Sequence, residues 1–200
     1  MLKAIIFDLG NVIVPFDFKR AYARLEPLCK FPAEEIRSRL RASGIVPRFE
    51  TGQMDERRFV EEFSNALDLQ LTHGEFCELW SCIFLPGTLI PESLIESLSA
   101  RHRLLLLSNT NPIHYSMVRQ NYPLLRHFHH AVLSHEVGAA KPSPAIYREA
   151  IRLAGCEAHE CFFTDDIQQY VDAARAHGIQ AVRFESAAQI ETELRTRNAL

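Results

Sequence analysis

Apolar residues gather along this chain in two kinds of run. Unbroken runs of strand length occupy residues 4–7, 103–107, 131–133 and 160–163, with a fifth at 180–184. Between the later runs, apolar positions recur at helical spacing. Residues 143–155 place Ile146, Tyr147, Ala150, Ile151 and Ala154 on one face and end on Gly155. Residues 167–178 repeat the pattern through Tyr170, Val171 and Ala174, with Gly178 after it. Strand-length runs alternating with helices predict an α/β fold of Rossmann-like character, a parallel sheet with helices on both faces.

Residues 15–86 break this rhythm. They hold no convincing strand but at least four helical patterns: 18–29, a second opening at Pro32 through Ile36 and Leu40, 55–67 with Phe59, Phe63 and Leu67 on one face, and 72–84. The expected organisation is therefore a core domain of residues 1–14 and 87–200, with a helical cap of residues 15–86 inserted after the first strand. Such a cap would stand over the carboxyl ends of the strands, where open parallel sheets bind ligands. Trp80 and the phenylalanines of the insertion read as its core. Glu50-Thr51-Gly52 interrupts the helical pattern, and a turn there would face the site.

Composition narrows the partners. Twenty-two Lys and Arg against 25 Asp and Glu give a formal net charge of −3, which supplies no general attraction to nucleic acid or an anionic membrane. The apolar run before Asp8 is too short for a signal peptide or a membrane span. The five cysteines have no CxxC spacing and read as reduced thiols, so the expected location is the cytoplasm. His127, His129 and His130 have neither helical nor zinc-finger spacing, and no histidine metal site is expected from them.

Polar residues stand at the ends of the apolar runs. Asp8 ends the first, Ser108-Asn109-Thr110 the second, Thr164-Asp165-Asp166 the fourth, and Lys141 lies in the loop after the third. Alone, Asp8 reads as a turn residue and Asp165-Asp166 as a helix cap. In a parallel sheet, however, all these ends share one edge, so residues a hundred or more apart in sequence converge. Three carboxylates so gathered repel unless a divalent cation sits among them, and Mg2+ is the natural choice for oxygen ligands. Asp8 could then attack phosphorus. Ser108, Asn109 and Lys141 would hold the phosphoryl oxygens, with backbone N–H groups of the Leu9-Gly10 turn as further donors.

The order of the segments "FDLGNV", "LLLSNT", "KPSPAIY" and "FFTDD" resembles the four motifs of the haloacid dehalogenase superfamily phosphatases over essentially the full chain. The insertion resembles the small cap of that superfamily. "DLGNV" with "LSNTN" is similar to a bacterial branch acting on sugar phosphates such as α-D-glucose 1-phosphate. The resemblance implies Mg2+-dependent hydrolysis of a small phosphorylated metabolite by a monomer or homodimer. It implies that Asp8 is the nucleophile, that Asp8, the Gly10 carbonyl, Asp165 and Asp166 surround Mg2+, that Ser108 and Lys141 bind phosphate, and that Asn109 orients it.

Two positions depart from the family pattern. Gly10 stands where most of these phosphatases carry a second Asp as general acid and base, a group whose loss costs roughly 10²–10⁴-fold in rate. Water, or a cap residue such as Asp17 or Glu50, would be the substitute. After Asp166 the chain reads Ile167-Gln168-Gln169-Tyr170 where relatives often place Asn, so Gln168 or Gln169 would supply the supporting amide. Two rival readings share the motifs: a metal-independent 2-haloacid dehalogenase-like hydrolase, and a catalytically degraded binding protein of the same fold.

Overall fold

The first strand, β1 (Ala4–Phe7), is the centre of the molecule. In a computed structural model describing residues 1–200 it pairs in parallel with β2 (Arg103–Ser108) on one side and β4 (Cys161–Asp165) on the other. Outside these lie β3 (His130–Leu133), against β2, and β5 (Gln180–Arg183), against β4. The five strands thus run in the order β3-β2-β1-β4-β5, all parallel. Buried on both faces, β1 needs apolar side chains at every position, and its AIIF sequence supplies them.

The helices are α1 (Lys19–Leu25), α2 (Ala33–Ser43), α3 (Ile45–Glu50), α4 (Glu56–Leu67), α5 (His73–Ser81), α6 (Glu92–Ser99), α7 (Pro112–Asn121), α8 (Ser134–Val137), α9 (Pro144–Ala154), α10 (Gln168–Ala176) and α11 (Ala187–Thr196). Alternation along β1 sends Ile5 and Phe7 to one face, where they meet Ile95 and Leu98 of α6, Val118 of α7 and Ile190 and Leu194 of α11. Ala4 and Ile6 go to the other, against Ile146 and Ala150 of α9 and Val171 and Ala174 of α10.

The helices α1 to α5 form a third cluster of their own, joined by Ile113 from α7. Its centre is aromatic. Phe59 stacks on Phe49 with ring centroids 4.0 Å apart and also meets Phe63, Phe76 and Trp80. Their ends follow from local chemistry. Asp55 caps α4 by accepting from the Arg58 N–H, and Thr72 and Glu75 make a reciprocal capping box on α5. The predicted helix over 18–29 is shorter than the apolar pattern: it passes into a tight 3-10 turn at Glu26–Leu28, where Pro27 cannot continue the α-helical ladder. α3, which carries Pro47 in its first turn, was hidden by that residue in the sequence. The chain leaves and rejoins the sheet along one seam, where Phe16 and Phe84 pair antiparallel, the Leu85 N–H donates to the Pro15 carbonyl at 2.9 Å and the Asp17 N–H to the Ile83 carbonyl at 2.9 Å. No helix is long and apolar enough to cross a membrane.

A separate aromatic core predicts separable damage. Phe59→Ala is expected to cost about 3–5 kcal/mol of stability in the bundle. Hydrogen exchange should rise in α1 to α5 well before it rises in β1, β2 and β4. Equal loss of protection in the bundle and the sheet would show that the two share one core.

Candidate active site

The parallel register sets the polar strand ends level. Phe7 lies opposite Leu106 and Thr164, and the Asp8 N–H donates to the Thr164 carbonyl at 3.0 Å, so Asp8 emerges beside Ser108 and Asp165. The edge is tied together by Ser134, whose hydroxyl accepts from the Thr110 N–H at 2.9 Å and donates to the Thr110 carbonyl at 3.0 Å.

Lys141 is the hub. Its Nζ lies 2.8 Å from Asp8 Oδ1 and 2.6 Å from Asp165 Oδ2, with the ammonium 3 % and Asp165 0 % exposed as residues. Asp8 Oδ1 also accepts from the Leu9 N–H at 2.8 Å, and Asp165 Oδ1 from the Ile167 N–H at 2.9 Å. That leaves Asp8 Oδ2 without a protein donor. Asn109 holds Lys141 in place: its Oδ1 accepts from the Lys141 N–H at 2.7 Å and its Nδ2 donates to the Lys141 carbonyl at 3.0 Å. The Nζ also stands 5.2 Å from the Tyr170 ring and 5.7 Å from that of Phe163, within range of a cation–π attraction.

Electrostatics follow from burial. Asp8 is pushed up to about 7, chiefly because it is out of water; Lys141 pulls it down and Asp165 pushes it up. Burial works against the Lys141 charge, but Asp8 and Asp165 outweigh it and its pKa is raised. Asp166 is raised by burial and by Asp165. Asp8, Asp165 and Asp166 each offer a carboxylate oxygen, all within 4.8 Å of one another. Three acids against one ammonium leave an excess of negative charge, and every donor is oxygen. That set suits a hard divalent cation such as Mg2+.

Asp8, Lys141 and Asp166 floor a cavity of about 250 Å³, with Asp165 buried behind them, Ser108 and Gly10 beside them and Phe16, Phe18, Ile83, Phe84 and Glu50 coming from the bundle side. A larger hollow of about 570 Å³ beside β3 contains none of the converging acids and is not the site. Asn11 makes the turn after Asp8 in the left-handed region, with φ of 54°. Gly10 does not need that freedom; it is small because a Cβ there would run into the Phe16 ring. The ring fills the space in which the family's usual second Asp would sit.

Several expected residues go elsewhere. Asp17 accepts from the Lys19 N–H at 2.9 Å and is not among the cavity residues. Gln168 binds Asp172 on the surface. Sequence reasoning missed Phe16, His114 and Tyr170. His114 Nε2–H donates to the Trp80 carbonyl at 3.0 Å, which leaves Nδ1 to accept from Asn111 Nδ2 at 3.1 Å. Neutral, it is satisfied on both nitrogens, and burial lowers its pKa to about 4. The only signal for it in the sequence was its place one turn after the Ser108-Asn109-Thr110 strand end.

With this geometry in place, comparison with known proteins gives the class. The haloacid dehalogenase-like hydrolase family matches residues 2–178, and the chain belongs to that family. It is 26% identical over 200 residues to the D-ribitol-5-phosphate phosphatase of Bacteroides thetaiotaomicron, covering 97% of each chain. It is 28% identical over 198 residues to Phosphatase MT3486 of Mycobacterium tuberculosis, covering 94% of this chain and 89% of that one. A solved structure of a family enzyme from Bacteroides thetaiotaomicron, in complex with magnesium and inorganic phosphate, shares the fold with a TM-score of 0.83 at 24% identity, covering 93% of this chain and 96% of that one.

Two tests follow from the packing and charge. Gly10→Ala is expected to cost about 1–3 kcal/mol in the native background and far less beside Phe16→Ala, as a urea double-mutant cycle would report. Equal cost in both backgrounds would free Phe16 of that role. His114 stays neutral in the fold to about pH 4 but takes a proton near 6.5 when unfolded. Its contribution is therefore present above pH 6.5 and lost as pH falls toward 4, by about 3 kcal/mol. The stability gap between the wild type and His114→Gln should close over that window; a constant gap would contradict the assignment.

Proposed function

We propose that the protein is a Mg2+-dependent phosphatase that hydrolyses a small phosphomonoester, a sugar or polyol phosphate, through an aspartyl-phosphate on Asp8. The observation that carries this reading is Asp8 Oδ2, left without a protein donor while Lys141 grips Oδ1, beside the Asp165-Asp166 pair. The phosphatase activities for which the Bacteroides and Mycobacterium relatives are named support the same reaction class.

Asp8, Asp166 and the Gly10 carbonyl would hold the cation, with Asp165 beside them. Bound there, Mg2+ would supply charge neutralisation for the carboxylates and the phosphoryl oxygens. Asp8 Oδ2 attacks phosphorus as the ester oxygen leaves. Lys141, the Ser108 hydroxyl and the Gly10 N–H hold the phosphoryl oxygens and stabilise their growing charge, whereas the Leu9 N–H, expected to join them, is already given to Asp8 Oδ1. Asn109 acts through Lys141, since its amide is already committed to that residue's backbone. Residues 15–86 serve as a cap on the core of residues 1–14 and 87–200, closing over the leaving group and excluding water until the first bond has formed.

A panel of phosphate esters including D-ribitol 5-phosphate and α-D-glucose 1-phosphate tests the reading. The wild type is expected to release phosphate with Mg2+ and to stop in excess chelator. Asp8→Asn should lose at least about 10⁴-fold, the scale of removing a covalent nucleophile. Equal release by both proteins would remove Asp8 from its role. Halide release from a 2-haloacid that persists in chelator would instead establish the dehalogenase chemistry.

A further inference from the structure

Glu50 is the one charged side chain that the bundle presents to the cavity holding Asp8 and Lys141. It is placed there rigidly. It ends α3, and the turn after it is closed by Thr51, whose hydroxyl donates to the Pro47 carbonyl at 2.7 Å. Gly52 follows with φ of 66°, packed so closely on the core that a Cβ would strike the His135 carbonyl oxygen. His135 is itself anchored, its Nδ1 3.1 Å from the carbonyl of Thr110, which lines the same cavity. The turn thus fixes Glu50 relative to the strand end that carries Ser108.

The carboxyl of Glu50 has a different character from the acids gathered at the sheet edge. Asp8 and Asp165 are held by Lys141, and Asp166 lies against Asp165. Glu50 has no ammonium or guanidinium against it, and it shares the cavity wall with the apolar rings of Phe16, Phe18 and Phe84. Burial alone acts on it, pushing it up to about 7, so both protonation states are populated near neutral pH. The position two residues after Asp8, meanwhile, is barred to a side chain by the Phe16 ring.

We propose that Glu50 is the general acid–base of the hydrolysis, taking the place that Gly10 leaves vacant. This rests on the phosphatase reading above. As the Asp8–phosphorus bond forms and the ester P–O bond breaks, the Glu50 carboxylic acid gives its proton to the departing alkoxide oxygen, which leaves as an alcohol. The Glu50 carboxylate then takes a proton from the water that attacks phosphorus. The Asp8–phosphorus bond breaks, inorganic phosphate leaves, and both carboxyl groups return to their starting states.

Leaving-group dependence separates this role from binding. p-Nitrophenolate leaves without a proton, whereas an alkyl alkoxide needs one. With Mg2+, Glu50→Gln should keep kcat/KM on p-nitrophenyl phosphate close to wild type but lose about 10²–10⁴-fold on the best alkyl phosphate of the panel. Because the second step also lacks its base, the variant should give a burst of p-nitrophenolate and accumulate phosphorylated enzyme. Glu50→Asp, which keeps an acid, should recover part of the alkyl activity. Equal losses on both esters, or a change confined to KM without phosphoenzyme, would overturn the proposal while leaving the phosphatase reading intact. A wild type inactive on both esters would overturn the phosphatase reading itself, and this role with it.

Discussion

One buried ammonium organises this molecule. Lys141 bridges Asp8 and Asp165 at the edge of the sheet, away from water, and the two strands that deliver those acids are neighbours in the ladder. Burying an ion cluster is costly, and removing one partner of such a cluster typically costs about 3–5 kcal/mol because the rest is left unpaired. The fold therefore spends further bonds on holding the ammonium still: two from Asn109 to its backbone and the faces of two aromatic rings. With Lys141 fixed, one oxygen of Asp8 is occupied and the other is left without a protein donor. The orientation of that carboxylate is thus a consequence of a charge pair, and the charge pair a consequence of strand order.

The bundle and the sheet divide the work. The sheet edge gathers charge: acids, a lysine and backbone donors converge there because parallel strands end together. The bundle contributes apolar rings and one carboxyl, Glu50, over that edge. It has an aromatic core of its own, while His114 ties it to α7 through the Trp80 carbonyl. Where Asp8, Lys141 and Asp165 lie buried at the sheet edge, electrostatic contacts are stronger than they would be in water.

Much of this was legible in the sequence. The strands are short unbroken apolar runs, which period alone reveals, and β1 through β5 lie where those runs lie to within a few residues. The convergence of Asp8, Ser108, Lys141, Asp165 and Asp166 follows from strand ends in a parallel sheet, a topological fact that needs no side-chain detail. What stayed hidden depends on single contacts between distant segments. Gly10 reads as a turn glycine, but its smallness answers to Phe16, six residues on, folding back over it. Asn109 reads as a phosphate ligand, yet its amide is engaged by Lys141, 32 residues away. Pro47 concealed α3, and with it the reason Glu50 points where it does.

The most direct test of the account is to quench a turning-over sample in acid and map the phosphorylated residue by mass spectrometry. A phosphoryl group on Asp8, formed with Mg2+ and absent when the metal is chelated, is the predicted result. Sustained ester hydrolysis with the phosphoryl group on another side chain would contradict it.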